Sequence, residues 1–109
     1  DVLEVHDAFT IVGVLSMEAL GYAERGKGAK LVAEGQTAIG GKIPTNTLGG
    51  LKARGHPVGA TGVYQVAEVT WQLRGAAGKN QVSGAEVGMA QNVGGVDSTA
   101  VVHILGRMN

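Results

Sequence analysis

Residues 40–62 admit neither a long helix nor a long strand, and this constrains how the rest of the chain can be arranged. The stretch holds seven glycines and both prolines of the chain. Glycine weakens a regular element and proline ends one. A connection this long without regular structure is typical of functional loops. The segments on either side are short and well punctuated. Val2-Leu3-Glu4-Val5-His6 has the residues of a strand, and Ala29 to Glu34 fits a short helix closed by Gly35. Phe9 to Leu20 is apolar on nearly every side, with only Thr10, Ser16 and Glu18 interrupting, and a helix of that kind is expected to be buried. After the glycine-rich stretch, Gly62 to Leu73 spaces Gln65, Glu68 and Gln72 along one narrow polar stripe. Apolar residues cover the rest of that helix, and Arg74 and Gly75 close it. Glu86 to Ala90 and Thr99 to Leu105 read as strands, with Asn92-Val93-Gly94-Gly95 as a tight turn between them. The order strand, helix, loop, helix, strand, strand belongs to an α/β fold.

Several function classes are excluded by composition. A chain of 109 residues makes one domain or a piece of one. Nine basic residues balance nine acidic ones, so there is no electrostatic footprint for nucleic acid. No apolar run approaches the roughly 18 residues of a membrane span, and there is no signal peptide. Cysteine is absent, which removes disulfides, thiolate metal sites and a thiol nucleophile within the chain. The chain opens on Asp1 and runs at once into a strand, so it reads as a segment. Gly21 to Lys27 matches the spacing of a phosphate loop. However, Gly28 stands where Ser or Thr is required, and the segment follows a helix rather than a strand.

Three places are candidates for chemistry. Gly55-His56-Pro57-Val58-Gly59-Ala60-Thr61-Gly62 sets a histidine ahead of a helix N-terminus, where free N–H groups favour an anionic atom and the glycines admit close approach. A histidine that merely caps a glycine turn is the competing reading. His6-Asp7-Ala8-Phe9 lies where a strand ends and a helix begins, the edge of an α/β sheet at which ligands gather. Its plain alternative is Asp7 as an N-cap beside a half-buried His6. Asn92 to Gly95 needs no function as a turn. His103 and Trp71 read as structural residues.

Taken together, Asn46-Thr47-Leu48-Gly49-Gly50, the Gly-His-Pro-Val-Gly-Ala-Thr-Gly loop, His6-Asp7-Ala8-Phe9 and Asn92-Val93-Gly94-Gly95 resemble the C-terminal part of a thiolase. The motifs fall in the family's order and spacing over essentially the whole chain. They are most similar to those of the archaeal acetyl-CoA C-acetyltransferases and the sterol-carrier-type thiolases. The resemblance implies the C-terminal half of the thiolase fold, a layered αβαβα architecture with a mixed sheet covered by helices. Residues 1–109 would form one such segment, incomplete without its N-terminal half, with the Phe9–Leu20 helix in the central layer.

The resemblance also implies a chemistry: condensation of two acetyl-CoA to acetoacetyl-CoA, or the reverse thiolysis, with a nucleophilic cysteine supplied by the N-terminal half. His56, His6 and Asn92 occupy the catalytic positions. His56, His6 and Gly94 match the oxyanion-hole donors, and Asn46, Gly49 and Gly50 match the loop along the coenzyme A arm. No metal or cofactor is implied, since coenzyme A thioesters are the substrates. The partners implied are acyl-CoA, the N-terminal half, further copies of the same chain, and a hydroxymethylglutaryl-CoA synthase held through a small OB-fold, zinc-binding protein, in a cytoplasmic, mevalonate-pathway setting. One departure matters. Where the family carries its second, acid/base cysteine, this chain has Asn92 and Ala8, neither of which exchanges a proton at neutral pH. That leaves two alternatives open: a thiolase-like lyase acting on a β-hydroxyacyl-CoA, and a non-catalytic module that binds acyl-CoA or lipid.

Overall fold

The computed structural model describes residues 1–108. Its elements are β1 (Val2–Glu4), α1 (Thr10–Ala19), α2 (Gly28–Ala33), α3 (Gly50–Ala53), α4 (Thr61–Leu73), β2 (Val87–Gly94) and β3 (Thr99–Gly106), with one 3-10 turn at Gly78–Asn80. The sheet runs β1-β2-β3. β1 is parallel to β2, with Val2 opposite Gly88 and Glu4 opposite Ala90, and β2 is antiparallel to β3. This is the small α/β domain that the element order predicts, with the mixed sheet that the resemblance implies.

The two-residue side-chain period of a strand divides the core. Leu3 and Val5 face one side of β1, where they pack with Met17 of α1 and with Ile43. Glu4 and His6, one position out of phase, face the side covered by α4, where Val69 and Leu73 meet Ala85 and Ala90. Gly88 makes that second contact possible. A Cβ there would stand 3.0 Å from Val2 Cγ1 and closer still to Val69, so only glycine lets the helix settle on the sheet.

In α1 only Ser16 and Met17 are buried, while Ile11, Leu15 and the preceding Phe9 are exposed. This chain supplies cover for one side of the helix only. Two expectations are corrected. The hairpin turn lies at Gly95–Ser98. Asn92, Val93 and Gly94 belong to β2, because their backbones pair with Val101, Ala100 and Thr99. The glycine-rich stretch is also not wholly irregular, since it contains α3.

The orientation of α4 is the most informative feature of the fold. Its polar stripe points inward: Gln65, Glu68 and Gln72 are at most 2% exposed. The outward face carries Val63 at 72% and Trp71 at 46%, so Trp71 is not the core residue that its apolar neighbours predict. Each inward polar group has partners. Gln72 Nε2 donates to Thr47 Oγ1 at 2.9 Å and to the Asn80 carbonyl at 2.7 Å, and Gln72 Oε1 accepts the Val82 N–H at 2.8 Å. Buried polar groups satisfied in this way fix one arrangement of the loops around a helix.

Glu68 forms an ion pair with Arg54, whose guanidinium lies 5.0 Å from the centre of the Tyr64 ring. Glu4 sits beside Glu68 with almost no exposure. If both carboxyls were ionised, the Glu4 oxygens and Glu68 Oε2 would have no donor. Burial, and next the charge of Glu68, push the Glu4 carboxyl up to about 9, so at neutral pH it holds a proton that it can share with Glu68. The folded form keeps this proton above the ordinary value of 4.5, whereas the unfolded chain releases it. The contribution of Glu4 to stability is therefore full below about pH 4.5 and is lost as pH rises toward 9. In thermal melts of the complete protein, Glu4→Gln should flatten the decline in stability between those two pH values and raise the melting temperature at the alkaline end. An unchanged pH slope would mean that Glu4 is ionised in the fold.

Candidate functional site

The strand register brings two of the predicted site residues together. Glu4 stands opposite Ala90, so two residues further along, His6 and Asn92 are neighbours on the α4 face. Asn92 Nδ2 lies 3.1 Å from His6 Nδ1 and 2.9 Å from Gln65 Oε1. The Gln65 amide nitrogen donates to the Gln91 carbonyl at 2.9 Å, and the His6 backbone N–H donates to Gln91 Oε1 at 3.0 Å. His6 is thus buried and held through both its backbone and its ring.

His56 arrives from the other direction. Pro57 to Ala60 form a turn rather than the first helical turn, and the Pro57 carbonyl accepts the N–H of Thr61 at 2.9 Å where α4 begins. Thr61 Oγ1 lies 2.6 Å from His56 Nδ1 and 3.2 Å from the Pro57 carbonyl, which aims the exposed imidazole from a buried hydroxyl. The two rings meet edge to face, with centroids 5.0 Å apart. Burial, and next the nearby His56, hold His6 below the ordinary histidine value of 6.5, against the opposing pull of Asp97 and Asp7. The outcome is a pair of facing imidazoles, one buried and one open.

The loops carrying these rings are tied to each other. Asp7 does not cap α1, whose N-cap is Phe9 without a side-chain bond. Asp7 Oδ1 instead accepts the Leu51 N–H at 2.8 Å, at the start of α3. At the other end of α3, Arg54 Nη1 donates to the Gly55 carbonyl at 2.9 Å, one residue before His56. Asp7 and Arg54 therefore link the His6 strand end to the His56 loop through a single helical turn. Sequence reasoning missed Arg54, Gln65 and Gln91, because none has a motif of its own; the only signal was the polar stripe of α4.

The remaining predicted residues have clear positions. The Asn46 amide brackets Val5, accepting its N–H at 2.8 Å and donating to its carbonyl at 3.2 Å, so this side chain holds the backbone just past the end of β1. Gly49 and Gly50 have φ of 107° and 60°. A Cβ on Gly50 would come within 2.8 Å of the Asp7 carboxylate, so this glycine is required by the backbone and by packing. Gly94 closes β2 opposite Thr99 and is exposed. His103 is exposed on β3. A cavity of about 220 Å³ lined by Val5, Asp7, Met17, Asn46 and Lys52 opens on the α1 side of β1, across the strand from the histidines. The phosphate-loop spacing carries no site: the N–H groups of Gly26 and Gly28 are taken by the Glu18 carboxylate, which they hold below the usual carboxylate range.

A family model described as thiolase C-terminal domain-like matches residues 1–107. The acetyl-CoA acetyltransferase of Methanothermobacter thermautotrophicus is 59% identical over 107 residues, covering 98% of this chain and 28% of that protein. Sterol carrier protein 2 of Homo sapiens is 52% identical over 94 residues, covering 86% of this chain and 17% of that protein. Among solved structures, an Ltp2-ChsH2(DUF35) aldolase superposes with a TM-score of 0.84 at 28% identity, covering 97% of this chain and 26% of that one. The chain thus spans less than a third of each of these relatives.

Proposed function

Because the chain belongs to the thiolase family, as its C-terminal domain, we propose that it forms the histidine-bearing half of an acyl-CoA active site completed by an N-terminal half. The observation that carries this reading is the edge-to-face pair of His6 and His56 at the start of α4. A buried, hydrogen-bonded imidazole beside an exposed one supplies a fixed donor and an accessible proton acceptor. The outward apolar face of α4 supports the same reading, since Val63, Tyr64 and Trp71 present an exposed surface of the kind that usually meets another protein surface.

In this proposal His56 takes the proton of a cysteine thiol from the N-terminal half. The thiolate attacks the carbonyl of acetyl-CoA, and coenzyme A leaves with that proton, so the acetyl group is carried as a thioester. A second acetyl-CoA, deprotonated at its methyl carbon, attacks this thioester, forms acetoacetyl-CoA and expels the cysteine. His6, His56 and the Gly94 N–H stabilise the oxygens that become negative, and the Asn46–Gly50 loop runs beside the coenzyme A arm. Asn92 orients His6. The second proton transfer falls to a histidine or to the N-terminal half. The same reading extends to a homo-oligomer and to the hydroxymethylglutaryl-CoA synthase assembly.

Two observations favour a second reading, cleavage of a β-hydroxyacyl-CoA. Ala8 and Asn92 exchange no proton, and the superposed relative is an aldolase. The test is to incubate the complete protein with acetyl-CoA and measure intact mass. Acetylation of a cysteine in the N-terminal half, with release of free coenzyme A, is the expected result. No acetylation, together with cleavage of a β-hydroxyacyl-CoA, would replace the transferase with the lyase.

A further inference from the structure

We infer that Gln65 is a positioning residue that fixes the tautomer of His6, leaving Nδ1 as an acceptor and placing the proton on Nε2. One group in this chain of bonds cannot turn round. The Gln91 backbone carbonyl only accepts, so the Gln65 atom 2.9 Å from it must be the amide nitrogen. The other end of that amide is then Oε1, an acceptor. The Asn92 atom 2.9 Å from Oε1 must accordingly be Nδ2. The same nitrogen lies 3.1 Å from His6 Nδ1. One of its two hydrogens goes to Gln65 and the other to His6, so Nδ1 must offer its lone pair. Reversing either amide would place two acceptors against each other in a region where Gln65 is fully buried.

The backbone of His6 is fixed by the same strand, since its N–H donates to Gln91 Oε1 at 3.0 Å. Ring and backbone therefore move together. An imidazolium would turn a second N–H against Asn92 Nδ2, so the same chain of bonds opposes protonation of His6. Burial and His56 act in the same direction, while Asp7 and Asp97 oppose it. His6 thus enters the site as an Nε2–H donor, suited to an oxygen that gains negative charge and unsuited to removing a proton. The tautomer stands on geometry alone; its use at a thioester oxygen rests on the function proposed above.

The test uses the complete protein labelled with 15N-histidine, with the ring nitrogens read by NMR alongside turnover. In the unsubstituted protein His6 should show an unprotonated Nδ1 and a protonated Nε2. Gln65→Met keeps the length of the side chain but removes both of its hydrogen bonds. It should leave Asn92 free to turn, mix the two tautomers, and lower kcat with little change in KM. Asn92→Asp offers only acceptors and should move the proton to Nδ1, whether or not Gln65→Met folds. A protonated Nδ1 in the unsubstituted protein would overturn the inference, as would an unchanged tautomer in Asn92→Asp. An unsubstituted protein with the expected tautomer but no acyl transfer would uphold the inference and count against the functional reading instead.

Discussion

Replacing His56 with alanine in a protein that carries both halves will lower turnover on acetyl-CoA by about a hundredfold or more, the usual scale for losing a general base or an oxyanion donor. Its ring is exposed, and among the described residues its one side-chain hydrogen bond is to Thr61 at 2.6 Å, so the fold should hardly register the loss. Chemistry and stability are therefore expected to separate, with acyl-enzyme formation slowed and the melting temperature nearly unchanged. His6→Ala should behave differently, because His6 is buried and its ring is bonded to Asn92. If His6 acts only as a donor, single-turnover acylation should suffer less than with His56→Ala, and both steps should be measured in both variants. Near-normal acylation and condensation in His56→Ala would remove this loop from the active site.

Arg54→Ala should give the largest loss of stability of any single change near the site. Arg54 is the cation paired with Glu68, which is buried beside Glu4. Removing one partner of a buried ion pair typically costs about 3–5 kcal/mol, because a charge is left without compensation. The substitution also releases the Gly55 carbonyl and the stacking on Tyr64. Chemical denaturation should show the loss, and turnover should fall with it because the His56 loop is no longer fixed. Adding Glu68→Gln to Arg54→Ala removes the stranded charge and should recover much of the stability without restoring turnover. No recovery in the double variant would place the cost in packing instead.

Much of the fold is legible in the sequence, and the exceptions share a cause. The ends of α1, α2 and α4 follow from apolar runs and the residues that punctuate them. Helical periodicity shows that Gln65, Glu68 and Gln72 share one face, but not that this face turns inward. Its direction is decided by partners in distant segments, such as Gln91 and Arg54. α3 was hidden for the same reason. Its start is held by Asp7, 44 residues away from Leu51 in the chain, and no local pattern contains that contact. Asn92 to Gly94 have the composition of a turn, yet pairing with β3 holds them in a strand. His6, His56 and Asn92 are legible as candidates because each stands in a specific motif. The residues that orient them are ordinary glutamines and an arginine, whose roles appear only when the strands are in register.

The pairing of β1 with β2 bears on when the site comes into existence. β2 and β3 close through a four-residue turn, a local event, whereas His6 and Asn92 are 86 residues apart along the chain. Bringing them together closes a loop of nearly the whole sequence, an entropic cost that must be met before the contact stabilises anything. The bond between His6 and Asn92 is therefore a high-contact-order feature. It cannot persist in a partly folded chain, and the orientation of the His6 ring appears only with the completed sheet.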